Sequence, residues 1–127
     1  MSLKSPLGRV LGLGAAGGSQ HWWLQRLSSI ALVPLTAWFV IALLRLPDLG
    51  WATVHGWLAR PPSSVLLLLL VPTLVHHSWV GVGVVVEDYV PGRRAKTLTL
   101  LALEFLHFVV GAAAVFAVLR IAFGTAT

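Results

Sequence analysis

Long apolar runs, separated by short polar or basic segments, dominate the pattern of this chain. Three runs, at about residues 28–46, 65–86 and 97–123, come close to or exceed the roughly 20 residues that a membrane-spanning helix needs. Pro34 and Pro72 lie inside the first two runs, and membrane helices tolerate such prolines when neighbouring groups satisfy the freed carbonyls. The pattern therefore predicts an all-α integral membrane protein with three transmembrane helices.

The segments between these runs predict the connections. Residues 47–62 form a polar, tryptophan-bearing stretch that we interpret as a loop, and residues 90–96 (VPGRRAK) indicate a short basic turn. Residues 10–16 only just reach the minimum length for the apolar core of a signal peptide and are rich in glycine, so we favour a tail over a signal peptide. We therefore expect residues 1–19 to be a flexible cytoplasmic tail and residues 20–127 to be a helical anchor, in a single domain 1–127.

Composition supports the membrane class and excludes several functions. Hydrophobic residues make up 57% of the chain and charged residues only 10%, whereas soluble domains average about 25% charged residues. The net charge of +5 arises from residues near the ends of the apolar runs, so it indicates topology rather than nucleic-acid binding. The chain contains no cysteine, so it can supply no thiolate to an iron–sulfur cluster.

Positive charge also orients the predicted bundle. One basic cluster precedes the first span and another follows the second, which places both on the same side of a three-helix protein. Their members are Lys4, Arg9, Arg26, Arg93, Arg94 and Lys96. Because basic residues are enriched on the cytoplasmic side, we expect a cytoplasmic N-terminus and a C-terminus on the opposite side.

The candidate chemistry lies in the second run, which contains an intramembrane histidine. His77, Gly81, Val84 and Asp88 are spaced 4, 3 and 4 residues apart, so they share one helical face. Asp88 lies about 16 Å from His77 along a helix and is followed by Tyr89, at the predicted cytoplasmic interface. Ionisable groups inside a membrane are costly, so His77 is either a functional group or is hydrogen-bonded to a neighbouring helix. Gly81 leaves a gap that a flat group or another helix could fill.

These residues resemble a known family, the cytochrome b-binding hydrophobic membrane anchors of succinate dehydrogenase (complex II). The resemblance rests on His77 and Gly81 followed by the Glu87–Val90 motif EDYV, which gives the pattern H-x3-G-x6-D-Y. Residues 20–32 (QHWWLQRLSSIAL) resemble the start of the first helix in bacterial members. Together with the three-helix layout, the resemblance covers residues 20–124.

The resemblance implies roles for four residues. His77 would be an axial ligand of haem b, with the second ligand supplied by a partner anchor subunit. Tyr89 would donate a hydrogen bond to a ubiquinone carbonyl, and Asp88 would support that site; alternatively, both residues simply anchor the helix end at the interface. Arg26 would pair with a haem propionate, and topology control is an equal alternative.

Two further histidines have other predicted roles. His76 points about 100° away from His77 around the helix, so both cannot fill one axial site. We expect His76 to make a structural hydrogen bond or to face a propionate. His107, three residues after Glu104 in the third run, is expected to form a helix–helix contact.

The predicted function is that of a membrane anchor subunit, not catalytic on its own, in a succinate:quinone oxidoreductase. The resemblance implies three partners: a second anchor subunit of the cytochrome b type, an iron–sulfur subunit and a flavoprotein subunit, the last two carrying the iron–sulfur clusters and FAD. The alternatives are the anchor of a fumarate reductase or of another cytochrome b complex, and a cofactor-free structural membrane protein. The short chain favours a bacterial inner (plasma) membrane over the mitochondrial inner membrane.

Overall fold

A computed structural model describes residues 18–124, with side chains from Trp22 onward. The described part is all-helical and contains four helices, which confirms the predicted fold class. They are α1 (Gly18–Leu44), α2 (Trp51–Leu58), α3 (Pro61–Tyr89) and α4 (Arg93–Phe123). Three of them, α1, α3 and α4, are long and apolar enough to span a membrane. Residues 1–17, most of the predicted tail, lie outside the described residues.

The long helices extend beyond the predicted apolar spans. The helix α1 begins ten residues earlier, at Gly18, and α3 runs from Pro61 through Tyr89 over 29 residues. At a rise of 1.5 Å per residue, α3 is about 43 Å long, against roughly 30 Å for a hydrocarbon core. Apolarity marks only the part of a helix that crosses the hydrocarbon, whereas the backbone hydrogen bonds continue through polar residues at either end.

The prediction of a plain loop at residues 47–62 is wrong, because this segment contains α2. The eight residues of α2 are too few for a stable isolated helix, so tertiary packing must hold them. Trp57 supplies that packing: it is buried, and its ring stacks on Trp38 of α1 at a centroid distance of 5.9 Å. Phe39 completes the aromatic cluster, 6.2 Å from Trp57.

The central helix of the bundle is α3. It packs against α1 on one side and α4 on the other, while the backbones of α1 and α4 do not meet within residues 18–124. Gly111 of α4 allows the close approach to α3, since a Cβ there would lie only 3.2 Å from Val75 Cγ1. Small residues have this role in membrane helix pairs, where close backbone packing replaces the hydrophobic effect. The α3–α4 turn requires Gly92, whose φ of 85° other residues rarely adopt.

The buried core is small and lies near α2. It consists of Trp57, Leu67, Leu70 and Val118. Many other large apolar side chains of the described helices are exposed. A water-soluble monomer rarely exposes so much apolar surface, so lipid or another subunit must cover these faces.

We expect Trp57→Ala to destabilise the protein by about 3 kcal/mol, because truncating a buried tryptophan leaves a cavity. The check is the Tm of the detergent-purified protein. Trp51→Ala is the matched control, since Trp51 lies in the same helix but is 79% exposed. An equal loss in both variants would contradict the core assignment of Trp57.

Candidate functional site: an intramembrane histidine and an interfacial acid–phenol pair

The imidazole of His77 lies in α3 and faces α1. Its Nδ1 is 3.1 Å from the hydroxyl oxygen of Ser28, a residue 49 positions earlier in the chain. The His77 side chain is half-buried, and its Nε2 makes no hydrogen bond to any of the described residues. The histidine is therefore held through one ring nitrogen, and the other is available to a ligand.

His77, Gly81, Val84 and Asp88 form a stripe along one face of α3. Near His77, this stripe lies on the side of α3 that faces α1. A Cβ on Gly81 would meet Gln25 Nε2 of α1 at 3.9 Å, so a neighbouring helix borders the gap that the sequence predicts there. Val84 and Asp88, further along the stripe, are exposed. The stripe is thus covered by α1 around His77 and open at the end that carries Asp88.

The other histidine of the pair, His76, points into a different region. It lines a groove of about 450 Å³ between α3 and α4, together with Trp79, Glu104 and His107. Its Nε2 is buried and has no hydrogen-bond partner among the described residues, so the structural hydrogen bond expected of His76 is not made through this atom. The structure therefore separates the two histidines, since His77 contacts α1 and His76 lines the α3–α4 groove.

The contact predicted for His107 is present. Its Nδ1 donates to the carbonyl oxygen of Leu103 at 2.8 Å, and its Nε2 then accepts a hydrogen bond from the Ser78 hydroxyl at 3.1 Å. Both ring nitrogens are engaged, and the second bond joins α4 to α3. His107 is a structural residue of the helix pair, whereas Glu104 is exposed toward the groove.

Asp88 and Tyr89 form the last two residues of α3, and both are exposed. Tyr89 is 81% exposed, so its ring and hydroxyl project away from the described helices. The neighbouring Glu87 differs, because its carbonyl oxygen accepts a hydrogen bond from Lys96 of α4. A small molecule held at Asp88 and Tyr89 would need further walls from another chain.

Arg26 lies on α1, two residues before Ser28. Its side chain is exposed, and the guanidinium carbon lies 4.5 Å from the centre of the Trp22 ring. A cation over an indole face is stabilised by the ring quadrupole and still directs its N–H groups outward. The arrangement leaves Arg26 able to bind an anion near this end of the bundle.

Two features of this region were not predicted from the sequence. One is the Ser28–His77 contact. The other is a cleft of about 560 Å³ lined by residues of α1, α3 and α4, among them Gln25, Glu87 and Glu104. The Oε1 of Gln25 is buried and unpartnered among the described residues. A polar side chain in an apolar run, such as Ser28, signals a cross-helix hydrogen bond but does not indicate its partner.

The described residues contain no group of three or more histidine, aspartate or glutamate side chains that could hold a metal ion. A metal held by protein ligands from this part of the chain alone is therefore not indicated. A haem differs, because its porphyrin supplies four ligands and the protein contributes only axial ones. One available imidazole nitrogen in an apolar setting fits that requirement.

Comparison with known proteins adds the family. Residues 1–119 match the family described as succinate dehydrogenase/fumarate reductase transmembrane subunit. The chain is 32% identical over 125 residues to the succinate dehydrogenase hydrophobic membrane anchor subunit of Paracoccus denitrificans, covering 98% of this chain and 96% of that protein. The protein of the same name from Rickettsia bellii is 31% identical over 71% of this chain and 72% of its own. No solved structure matches.

A more distant relative extends the comparison. The succinate dehydrogenase membrane anchor subunit of Reclinomonas americana is 27% identical over 72% of this chain and 82% of its own length. The chain thus belongs to the family of succinate dehydrogenase/fumarate reductase transmembrane subunits. Within that family it is a membrane anchor subunit, which confirms the resemblance and the anchor role predicted from the sequence.

Proposed function

We propose that this chain anchors a succinate:quinone oxidoreductase in the membrane, supplies one axial ligand of haem b through His77, and forms part of a ubiquinone site with Asp88 and Tyr89. The observation that carries the proposal is the state of His77. Its imidazole lies within a membrane-spanning helix, held at Nδ1 by Ser28, while Nε2 has no partner among the described residues. An unpaired imidazole nitrogen inside a membrane is costly unless it binds something.

Haem b would give the membrane anchor a one-electron carrier. His77 would hold it from this chain, and a second, cytochrome b-type anchor subunit would supply the opposite ligand. The exposed apolar faces of the bundle support such a partner, since they require a cover. A haem between two anchor subunits would need only one axial ligand from this chain, which agrees with described residues that contain no cluster of metal-binding side chains.

Arg26 would bind a haem propionate. Ser28 contacts His77, so the two residues lie at a similar depth, and Arg26 is two residues, or about 3 Å along the helix, closer to the predicted cytoplasmic end. Its guanidinium carbon lies over the ring of Trp22, four residues earlier in α1, so the side chain extends further in that direction. A guanidinium matches a carboxylate by paired hydrogen bonds, and its stacking on Trp22 restricts its position.

The quinone site would use the groups at the end of α3. The Tyr89 hydroxyl would donate a hydrogen bond to a quinone carbonyl, and the Asp88 carboxylate would orient that donor or pass on a proton. Their exposure supports this role, because a bound quinone needs access from the membrane and walls from partner subunits. Those partners would include the iron–sulfur subunit on the predicted cytoplasmic face, which would deliver electrons from a flavoprotein subunit.

The absence of cysteine from this chain supports the assignment of the iron–sulfur clusters to a partner subunit, because such clusters require thiolate ligands. The flavin and the clusters would belong to the partner subunits. The bacterial relatives favour the bacterial inner membrane as the location of the complex.

The test is purification through an affinity tag on this chain, in mild detergent, followed by mass spectrometry and a reduced-minus-oxidised spectrum. We expect flavoprotein and iron–sulfur subunits in the eluate, a b-type band, and ubiquinone reduction driven by succinate. The same partners without a b-type band would contradict the haem assignment. Quinol-driven reduction of fumarate, with no succinate oxidation, would favour the fumarate reductase alternative.

A further inference from the structure

The hydroxyl group of Ser28 lies between two groups of different chemistry. Its oxygen is 2.8 Å from the carbonyl oxygen of Gln25 in the same helix and 3.1 Å from Nδ1 of His77 in α3. A carbonyl oxygen can only accept a hydrogen bond, and a serine hydroxyl has one hydrogen to donate. When Ser28 donates to Gln25, its oxygen accepts from His77, which requires the hydrogen of the ring to be on Nδ1.

This arrangement selects one tautomer of the imidazole. With the hydrogen on Nδ1, the Nε2 atom carries a free lone pair, as an iron ligand must. The opposite tautomer would place an N–H at Nε2, where none of the described residues accepts it, and would remove the lone pair. We infer that Ser28 is a positioning residue, which holds His77 in the tautomer and ring orientation that bind haem iron through Nε2. This inference rests on the proposed function.

The position of this bond in the membrane increases its effect. Ser28 and His77 both lie within helices long and apolar enough to span a membrane, where water does not readily replace a lost hydrogen-bond partner. The same bond would also tune the metal, since an acceptor on the far nitrogen makes an imidazole a stronger donor. A stronger donor stabilises the oxidised iron, so losing the bond should raise the midpoint potential of the haem.

The chain offers a matched control in the next residue. Ser29 donates to the same Gln25 carbonyl oxygen, also at 2.8 Å, but makes no hydrogen bond to His77 or to any other described side chain. Ser28→Ala and Ser29→Ala therefore remove the same group from adjacent positions of one helix. Ser28→Thr keeps the hydroxyl, and a helical threonine can still bond a carbonyl three or four residues earlier.

The experiment uses the purified complex carrying each of these variants, or His77→Ala. Haem retention is measured as the rate of haem transfer to excess apomyoglobin. The midpoint potential is measured by optical redox titration, and the ligand orientation by the EPR g-values of the oxidised haem. We expect Ser28→Ala to lose haem roughly 10- to 100-fold faster, with a higher midpoint potential and shifted g-values. Ser29→Ala should match the unmodified complex, and Ser28→Thr should restore its values.

The outcomes separate two failures. If His77→Ala keeps a normal haem spectrum, the haem-ligand role proposed for His77 is wrong. If His77→Ala loses haem but Ser28→Ala matches Ser29→Ala in all three measurements, only the inference about Ser28 is overturned. The inference also fails if both serine variants change equally, or if threonine behaves like alanine, because the hydroxyl at residue 28 would then have no specific role.

Discussion

Replacing His77 with alanine is expected to abolish stable haem b binding, whereas His76→Ala should retain it. The two residues are neighbours in the chain, but the structure gives them different surroundings. His77 is held by Ser28 with Nε2 available, while His76 lines the α3–α4 groove with Trp79. His77→Ala removes the imidazole that we propose as this chain's axial ligand of the haem iron.

The measurement is the haem content and the reduced-minus-oxidised spectrum per mole of purified complex. His77→Gln provides a second variant, because an amide can still donate a hydrogen bond to Ser28 while being a poor ligand for haem iron. It should assemble and still lack normal haem. If the His76 variant loses haem and the His77 variants keep a normal spectrum, the ligand assignment is reversed.

Tyr89→Phe is expected to reduce ubiquinone reductase activity by up to roughly 100-fold while leaving succinate oxidation with an artificial acceptor near normal. The substitution removes one hydroxyl and keeps the ring. A well-aligned donor in a dry site contributes a few kcal/mol to the transition state. Asp88→Asn should behave similarly, because the amide preserves shape but takes up no proton at neutral pH.

Glu87→Gln is the matched control for both variants. It is adjacent and acidic, but its contact with Lys96 is made through the backbone carbonyl, which the substitution leaves in place. Equal losses in the quinone and artificial-acceptor assays would indicate a folding defect. Full quinone reductase activity in both Tyr89→Phe and Asp88→Asn would contradict the quinone site. It would instead favour the alternative that the two residues anchor the helix end at the membrane interface.

The sequence predicted the number of spans because the hydrocarbon core imposes a length and a composition on any helix that crosses it. The same length and composition criterion placed the starts of the long helices too late and did not predict α2. Polar residues continue α1 and α3 outside the hydrocarbon, and α2 depends on the burial of Trp57 against Trp38. That contact joins residues from two helices, and no local pattern around residues 51–58 indicates it.

For the candidate site, the sequence alone singled out the residues that we propose bear the chemistry. His77 within an apolar run, and Asp88 with Tyr89 at its end, stand out because ionisable groups are rare and costly at those positions. Only the tertiary structure decided what His77 contacts. A membrane helix is apolar on nearly all sides, so periodicity does not reveal which face meets a neighbour. The close approach of α1 to α3 brings Ser28 to His77 across 49 residues and leaves His76 on the side of α4.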